Sequence, residues 1–418
     1  MAKKLKILTI SDHPLVSSGV GTQTKYIIEG LLATGKYQIR SFGGAIKHPD
    51  YKPQKIEPYG EDWIIYPVDG YGDENLMRQF IDAEKPDAIW FMTDPRFFSW
   101  LFGMSDEIRD RGIPLLYNHV WDDYPVPDYN KGSYHSCDFV GCISKLTHDI
   151  LCKLGMQDDC AYIPHAVNAD VFKQLTPEQT KIEREKALGP HKDKFVVFYN
   201  SRNARRKMTS DVVKVFKMFM DETNSHDKSF LLMHTDPFDR EGANLIEVAK
   251  MLGVLPHQLS FSSNRLPPEV MANLYNIADV TINISNNEGF GLSCLESLSC
   301  GTPVIVNKTG GLQDQPVDDQ GNVFGVLVEP AVRSLTGSQE IPYILDDRCS
   351  DKDLVDAMVK MYNMSTEQRK LLGTMARNWT LKAFSMQNMI DKWDEILVKY
   401  ITEFKIHGYK DRVRFSRI

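Results

Sequence analysis

Short β-rich runs alternate with longer runs of helical spacing along most of this chain, and that alternation constrains the fold more than any other feature. Residues 5–10, 38–42, 63–66, 88–93, 114–119 and 139–143 have strand length and β-forming composition. Between them, residues 21–32, 75–83, 101–111 and 145–154 carry helical periodicity. A strand that feeds a helix and then another strand of the same sense builds a parallel sheet with crossover helices. A polar, charged stretch over residues 165–192, including Thr176-Pro177-Glu178-Gln179-Thr180-Lys181, breaks the pattern and reads as a connection. The alternation then resumes, with strands at 195–199, 229–234, 258–261 and 303–307 and helices near 210–220, 241–253 and 268–277. From Asp351 onward the chain reads as helical. Its 418 residues are enough for two domains with separate cores, expected at 1–172 and 190–388.

A net charge of −7 argues against a generally nucleic-acid-binding surface. The seven cysteines include no C-x-x-C pair and no zinc spacing, so no metal is expected, and reduced thiols in a cytoplasmic compartment fit their scatter. No apolar run is long enough to span a bilayer. Met1-Ala2-Lys3-Lys4 has the charge of a signal peptide, but the run after it is strand-length and interrupted by Lys6.

The chemistry concentrates in Asn287-Glu288-Gly289-Phe290-Gly291-Leu292-Ser293-Cys294-Leu295-Glu296. A strand over 278–285 precedes it, and a helix closed by Gly301 follows. A strand, a glycine turn and a helix start turn backbone N–H groups toward a point where an anion can sit. Glu288 precedes that point and Glu296 follows it, so a phosphate flanked by hydroxyl-rich groups, as in a sugar nucleotide, fits. The plainer alternative is a capping box, with Glu296 reaching back to Ser293 and Glu288 merely solvated. Arg202 and Lys207 lie just beyond the strand at 195–199, on the edge where open α/β sheets bind ligands, whereas Arg205 and Arg206 read as surface. His119 ends another strand. Gly19-x-Gly21 is half of a dinucleotide fingerprint, but Thr24 and Gly43-Gly44 stand where NAD binding needs a small residue and an acid. A flexible loop able to close over a diphosphate or an acceptor is the better reading. Asp94, Arg96, Phe97, Phe98 and Trp100, with Trp121, Asp122, Asp123 and Tyr124, follow two strands and either line an acceptor site or pack the domain.

Taken together, these segments resemble the retaining glycosyltransferases of family 4. Glu288 to Glu296, followed by Gly301-Thr302-Pro303 and Gly310-Gly311, resembles the E-x7-E region of that family. Ser17 to Thr22, Asp138 to Lys145, Tyr162 to Asn168, and Asn200-Ser201-Arg202 with Arg206-Lys207 resemble its other motifs in the right order. The family often has Asn where this chain has His165 and Gly where it has Ala166. The resemblance implies an α/β GT-B fold, two Rossmann-like domains facing a cleft, with the last helix, about 389–418, returning to the first domain. It implies a metal-independent hexosyl- or pentosyltransferase that uses a nucleoside-diphosphate sugar, a UDP-sugar by preference, and no further cofactor. Glu288, Arg202, Lys207 and His119 would serve catalysis. Gly19, Gly21, Phe290, Gly291, Leu292 and Glu296 would bind the donor, with Asp94, Arg96, Trp121 and Asp122 on the side of a carbohydrate or lipid-linked acceptor. Two alternatives share the fold, a sugar-nucleotide epimerase and an inactive nucleotide-sugar-binding module. The segment Arg333 to Tyr343 resembles a subgroup from large DNA viruses and tailed phages, some of which glycosylate modified DNA bases in the host cytoplasm. In that reading the basic tail Lys405, Lys410, Arg412, Arg414 and Arg417 would meet a phosphate backbone.

Overall fold

The computed structural model describes residues 3–407. The chain forms two compact units, one of residues 1–166, 339–342 and 386–418, the other of residues 167–338 and 343–385. Residues 167–172, expected in the first unit, thus group with the second, where the Phe172 carbonyl accepts from Ser299 Oγ and Arg377 Nη1.

The first unit is built on eight strands: β1 (Leu5–Asp12), β2 (Tyr37–Gly44), β3 (Gln54–Ile56), β4 (Gly60–Pro67), β5 (Ala88–Thr93), β6 (Leu115–His119), β7 (Phe139–Cys142) and β8 (Cys160–Tyr162). Their order is β3-β4-β2-β1-β5-β6-β7-β8, parallel throughout except for β3 on β4. Every residue of β5 and β6 is buried, as expected of parallel strands covered on both faces. Strand β1 pairs with β2 on one side and β5 on the other, so the chain reverses its direction of travel across the sheet there. Such a switch point opens a crevice beyond the carboxyl ends of the strands.

The helix Met386–His407 returns to this unit and packs Met389, Trp393 and Leu397 into a core with Ile7, Ile28, Trp63 and Trp90. Trp393 and Trp90 meet edge to face with ring centroids 5.7 Å apart. Gly141 of β7 makes room for that ring, since a Cβ there would lie 2.6 Å from Trp393. Truncating such a side chain to alanine typically costs about 3–5 kcal/mol, so this helix is an integral part of the first unit.

The second unit has six parallel strands: β9 (Phe195–Asn200), β10 (Ser229–His234), β11 (Leu259–Ser262), β12 (Val280–Asn283), β13 (Val304–Asn307) and β14 (Gly325–Val328). The order β11-β10-β9-β12-β13-β14 places a second switch point between β9 and β12. An antiparallel hairpin, β15 (Val332–Thr336) and β16 (Ile344–Arg348), stands apart from that sheet.

Several expectations need correction. The stretch read as a connection contains a helix, Pro177–Leu188, with a complete capping box between Thr176 and Gln179. Only Leu188 of it is buried, so it lacks the apolar stripe that periodicity detects. The helix expected over 101–111 is two short ones, Ser99–Gly103 and Ser105–Asp110, meeting at Met104. Gly19 and Gly21 are not in a flexible loop: they form the first turn of the helix Gly19–Ala33, capped by Ser18. A Cβ on Gly21 would sit 2.8 Å from the His13 carbonyl oxygen, so close packing is the reason for glycine there. In the basic tail, Lys405 pairs with Asp87, and Lys410, Arg412, Arg414 and Arg417 lie outside the described residues.

Candidate functional site

At the switch point of the second unit, the segments after β9 and β12 come together. Met208, in the left-handed region at φ 53°, turns the chain between Arg205–Lys207 and the helix Thr209–Thr223. That turn aims Lys207 at Glu288. Lys207 Nζ is ion-paired with Glu288 Oε2, and only 12% and 13% of these side chains remain exposed. Arg206 Nη1 lies 3.5 Å from the same oxygen and donates to the Asn287 carbonyl at 2.8 Å. Arg206, read as surface, therefore belongs to the charged cluster. Arg202 forms a two-pronged pair with Asp239, at 2.7 and 3.2 Å, and its side chain stays 65% exposed.

The glycine turn behaves as its sequence requires. Gly291 has φ 90°, and a Cβ there would lie 2.4 Å from Leu312 Cδ2. Gly311 packs against the turn so closely that a Cβ would meet the Gly289 carbonyl oxygen at 2.4 Å, and its N–H donates to the Glu288 carbonyl at 2.8 Å. Phe290 is buried, its carbonyl taking a hydrogen bond from Gln315. The helix Leu292–Ser299 starts directly after Gly291 without a side-chain cap; the Cys294 amide donates to the Gly291 carbonyl at 3.0 Å, and the amides of Leu292 and Ser293 ahead of it are available to an anion.

Glu296 is not a helix cap. Ser293 lies inside the helix, and Glu296 Oε2 instead accepts from the Tyr275 hydroxyl at 2.7 Å. Asn200 Nδ2, at the end of β9, donates to that hydroxyl at 2.7 Å, completing a relay across the switch point. Burial pushes the Glu296 carboxyl up to about 7, and the hydrogen bond from Tyr275 offsets part of that rise. The foot of the β15–β16 hairpin braces the same segment: Asn287 Nδ2 donates to Asp346 Oδ1 at 2.6 Å, and the Asp347 amide donates to the Asn286 carbonyl.

In the first unit, Asp12 ends β1 at the switch point. Its carboxylate accepts from Ser18 Oγ at 2.6 Å and from the Tyr71 hydroxyl at 2.8 Å. On the other side of the switch point Thr93 closes β5 with φ 145°, an unusual backbone for a β-branched residue, of the kind that collects at functional sites. Asp94 follows it, accepting from the Arg96 amide at 3.0 Å. Burial raises its pKa, and Asp122 is near enough to add to the rise. Arg96 stacks over Phe97 and pairs with Glu340 at 3.4 Å.

His119 was expected at an open edge, but it is fully buried, with Nε2 2.9 Å from the Tyr134 hydroxyl. Its other nitrogen, Nδ1, has no hydrogen-bond partner among the described residues. Burial pulls its pKa down to about 3, so the ring is neutral near pH 7. Trp121, expected on the acceptor side, is buried, and so is Phe98, for which packing was one of the two readings. His165 and Ala166 are buried too, and Gln23 exchanges hydrogen bonds with both the N–H and the carbonyl of Ala166.

Sequence reasoning read Arg206 as surface, gave Asn200 no role beyond its place in a motif, and missed Tyr275 and Asp12. Asn200 and Asp12 each close a strand beside a switch point, a position readable once strand order is known. Tyr275 lies on a helix whose spacing shows only that it is buried.

Comparison with known proteins places this geometry. Residues 180–361, which fall almost wholly in the second unit, match the family model described as Glycosyl transferases group 1. The chain is 26% identical over 212 residues to alpha-monoglucosyldiacylglycerol synthase of Acholeplasma laidlawii, covering 50% of this chain and 51% of that protein. It is 36% identical over 138 residues to the D-inositol 3-phosphate glycosyltransferase of Geodermatophilus obscurus, covering 28% and 30%. The matches thus span about half the length of these curated relatives or less. Among solved structures, sucrose-phosphate synthase of Thermosynechococcus elongatus superposes with TM-score 0.74 at 17% identity, over 96% of this chain and 100% of that one. An Anabaena protein solved with UDP and glucose gives 0.68 at 16%, over 94% and 100%. With the strand order of the two units, this likeness assigns the GT-B fold, and the family match falls on the unit that carries Lys207, Glu288 and Glu296.

Proposed function

We propose that this chain is a retaining glycosyltransferase that moves a sugar from a nucleoside-diphosphate donor, a UDP-sugar by preference, to a hydroxyl of a carbohydrate or a lipid-linked acceptor. The observation that carries the reading is the pairing of Lys207 and Arg206 with Glu288 beside the uncapped helix start at Leu292, with Glu296 held ready on the Asn200–Tyr275 relay. The diphosphate would sit on the Lys207 and Arg206 cations and the first helical amides, with Glu296 on the ribose hydroxyls and Glu288 on hydroxyls of the transferred sugar. The family match over the second unit supports the transferase class, and the names of the Acholeplasma and Geodermatophilus proteins support a lipid or polyol acceptor. The Anabaena structure with UDP and glucose supports uridine as the base.

In the step we infer, the acceptor oxygen bonds to the anomeric carbon on the face the diphosphate leaves. The carbon–oxygen bond to phosphate breaks, and the acceptor proton passes to the departing phosphate oxygen. No side chain need act as base. The fixed cations are worth most as charge builds on the leaving group. His119, neutral and buried, would contribute a hydrogen bond rather than a proton. The residues we assign to the acceptor are Asp12, Asp94, Arg96 and Asp122. Net charge −7 favours a carbohydrate or lipid acceptor over DNA.

A thermal-shift series with UDP, GDP, ADP and TDP tests the donor. A ligand at a hundred times its Kd adds about 2.7 kcal/mol to the folded state. UDP is expected to raise Tm most, and no shift with any of the four would sink the reading. With a UDP-sugar and acceptor, free UDP should accumulate; an isomerised donor without release would instead indicate an epimerase. Turnover is expected to persist in EDTA, because the charge on the leaving group is met by side chains. Loss restored only by magnesium or manganese would contradict that.

A further inference from the structure

Away from these sites, three soft ligands converge at the edge of the first unit. His148 and Cys152 stand four residues apart on the helix Lys145–Lys153 and so share one face. Cys160 opens β8, the three-residue strand at the sheet's edge, which pairs with β7. The ligand atoms of His148, Cys152 and Cys160 all lie within 4.8 Å of one another. Cys152 Sγ is 3.9 Å from His148 Nδ1 and 3.8 Å from Nε2. A tetrahedral ion with bonds of about 2.0 Å to nitrogen and 2.3 Å to sulfur separates such donors by about 3.5 Å, so the three ligand atoms, all within 4.8 Å of one another, draw together by about 1 Å at most to take it.

We propose that His148, Cys152 and Cys160 form a binding site for a soft divalent cation of the zinc class. Two thiolates and a neutral imidazole cancel the ion's charge, and binding releases the two thiol protons to solvent. Mixed nitrogen and sulfur donors in this number suit zinc or cobalt and exclude calcium or magnesium, which take oxygen. Cys142, fully buried at the end of β7, donates its thiol to the Val140 carbonyl at 3.8 Å and stays outside the ligand set. His148 and Cys152 are each partly exposed, which leaves an entry path and a fourth position for water. Bound there, the ion would clamp the helix Lys145–Lys153 to an edge strand otherwise held by few backbone bonds. The spacing H-x3-C-x7-C matches no common zinc pattern, so the site is not visible before the helix and β8 are brought together.

The test is a cobalt titration of the full-length chain, purified in reductant and stripped of metal. One equivalent is expected to produce a thiolate-to-cobalt charge-transfer band and the strong visible bands of a tetrahedral ion, and zinc should bleach both. Cys152→Ser and His148→Ala should each weaken binding more than tenfold, whereas Cys349→Ser should leave it unchanged. Zinc should raise Tm of the parent chain but not of Cys152→Ser, whose partly exposed side chain allows the variant to fold. Circular dichroism confirms that fold before titration. A folded, reduced chain that takes up no cobalt overturns the proposal. So does a spectrum unaltered in Cys152→Ser, or a Cys152–Cys160 disulfide whose reduction yields no cobalt site. None of these readouts depends on transferase activity.

Discussion

Lys207→Ala is expected to lower turnover about 10²–10³-fold, the cost typical of removing one preorganised group that stabilises developing charge. Donor affinity should fall far less, because the leaving diphosphate carries most of its extra charge only in the transition state. The substitution also leaves Glu288 in a nearly buried position without its ammonium partner. Such a loss destabilises more strongly than removing both members of a pair. The control is therefore the double variant Lys207→Ala with Glu288→Ala, expected to regain thermal stability but not turnover. Arg202→Ala should cost only a few-fold, since its guanidinium is mostly exposed and engaged by Asp239. Steady-state kinetics with independent donor-binding measurements separate these effects. If Lys207→Ala weakens binding and leaves turnover of the bound donor intact, Lys207 only anchors the substrate. If Arg202→Ala costs more than Lys207→Ala, the cations have been ranked wrongly.

Much of this was legible in the sequence because parallel strands announce themselves. β5 and β9 are nearly continuous apolar runs, β6 opens with one before Asn118 and His119, and each loop after them holds polar residues in a short window. The turn at Gly291 follows from glycine placement, whereas the packing of Gly311 against it shows only in the fold. What stayed hidden depended on contacts between distant segments. Ser293-x-x-Glu296 satisfies a capping pattern, and only Tyr275, twenty-one residues earlier, shows that Glu296 faces elsewhere. Arg206 reads as a solvated turn until Met208 adopts its left-handed backbone and swings the basic run toward Glu288. His119 closes a strand that ends near the switch point, yet Tyr134 covers it, a contact set by a short helix that periodicity cannot detect. The helix Pro177–Leu188 shows the opposite case. Its capping box was written in Thr176 and Gln179, but its missing apolar face outweighed that signal.

Glu296→Ala is expected to weaken nucleoside-diphosphate binding about ten- to a hundredfold, the worth of hydrogen bonds to a charged acceptor. Ser293→Ala should leave affinity unchanged, because Ser293 caps nothing. The pH dependence gives a second signature. With its carboxyl at about 7 in the folded chain, Glu296 accepts ribose hydroxyls best above that pH, so affinity should rise as pH passes upward through 7. The phosphates titrate nearby as well, so the measured quantity is the difference between the parent chain and Glu296→Gln, which flattens only the Glu296 contribution. Unliganded stability should run the other way. Between about 4.5 and 7 the folded chain holds a proton on Glu296 that the unfolded chain has lost. Stability from this group is therefore fully present below the unfolded value and is lost as pH rises through 7, and Glu296→Gln should remove that slope. Calorimetric titration of UDP at several pH values, with melting curves over the same range, measures both. Parallel pH profiles for the parent chain and Glu296→Gln, with equal affinities, would leave Glu296 as a buried partner of Tyr275 and nothing more.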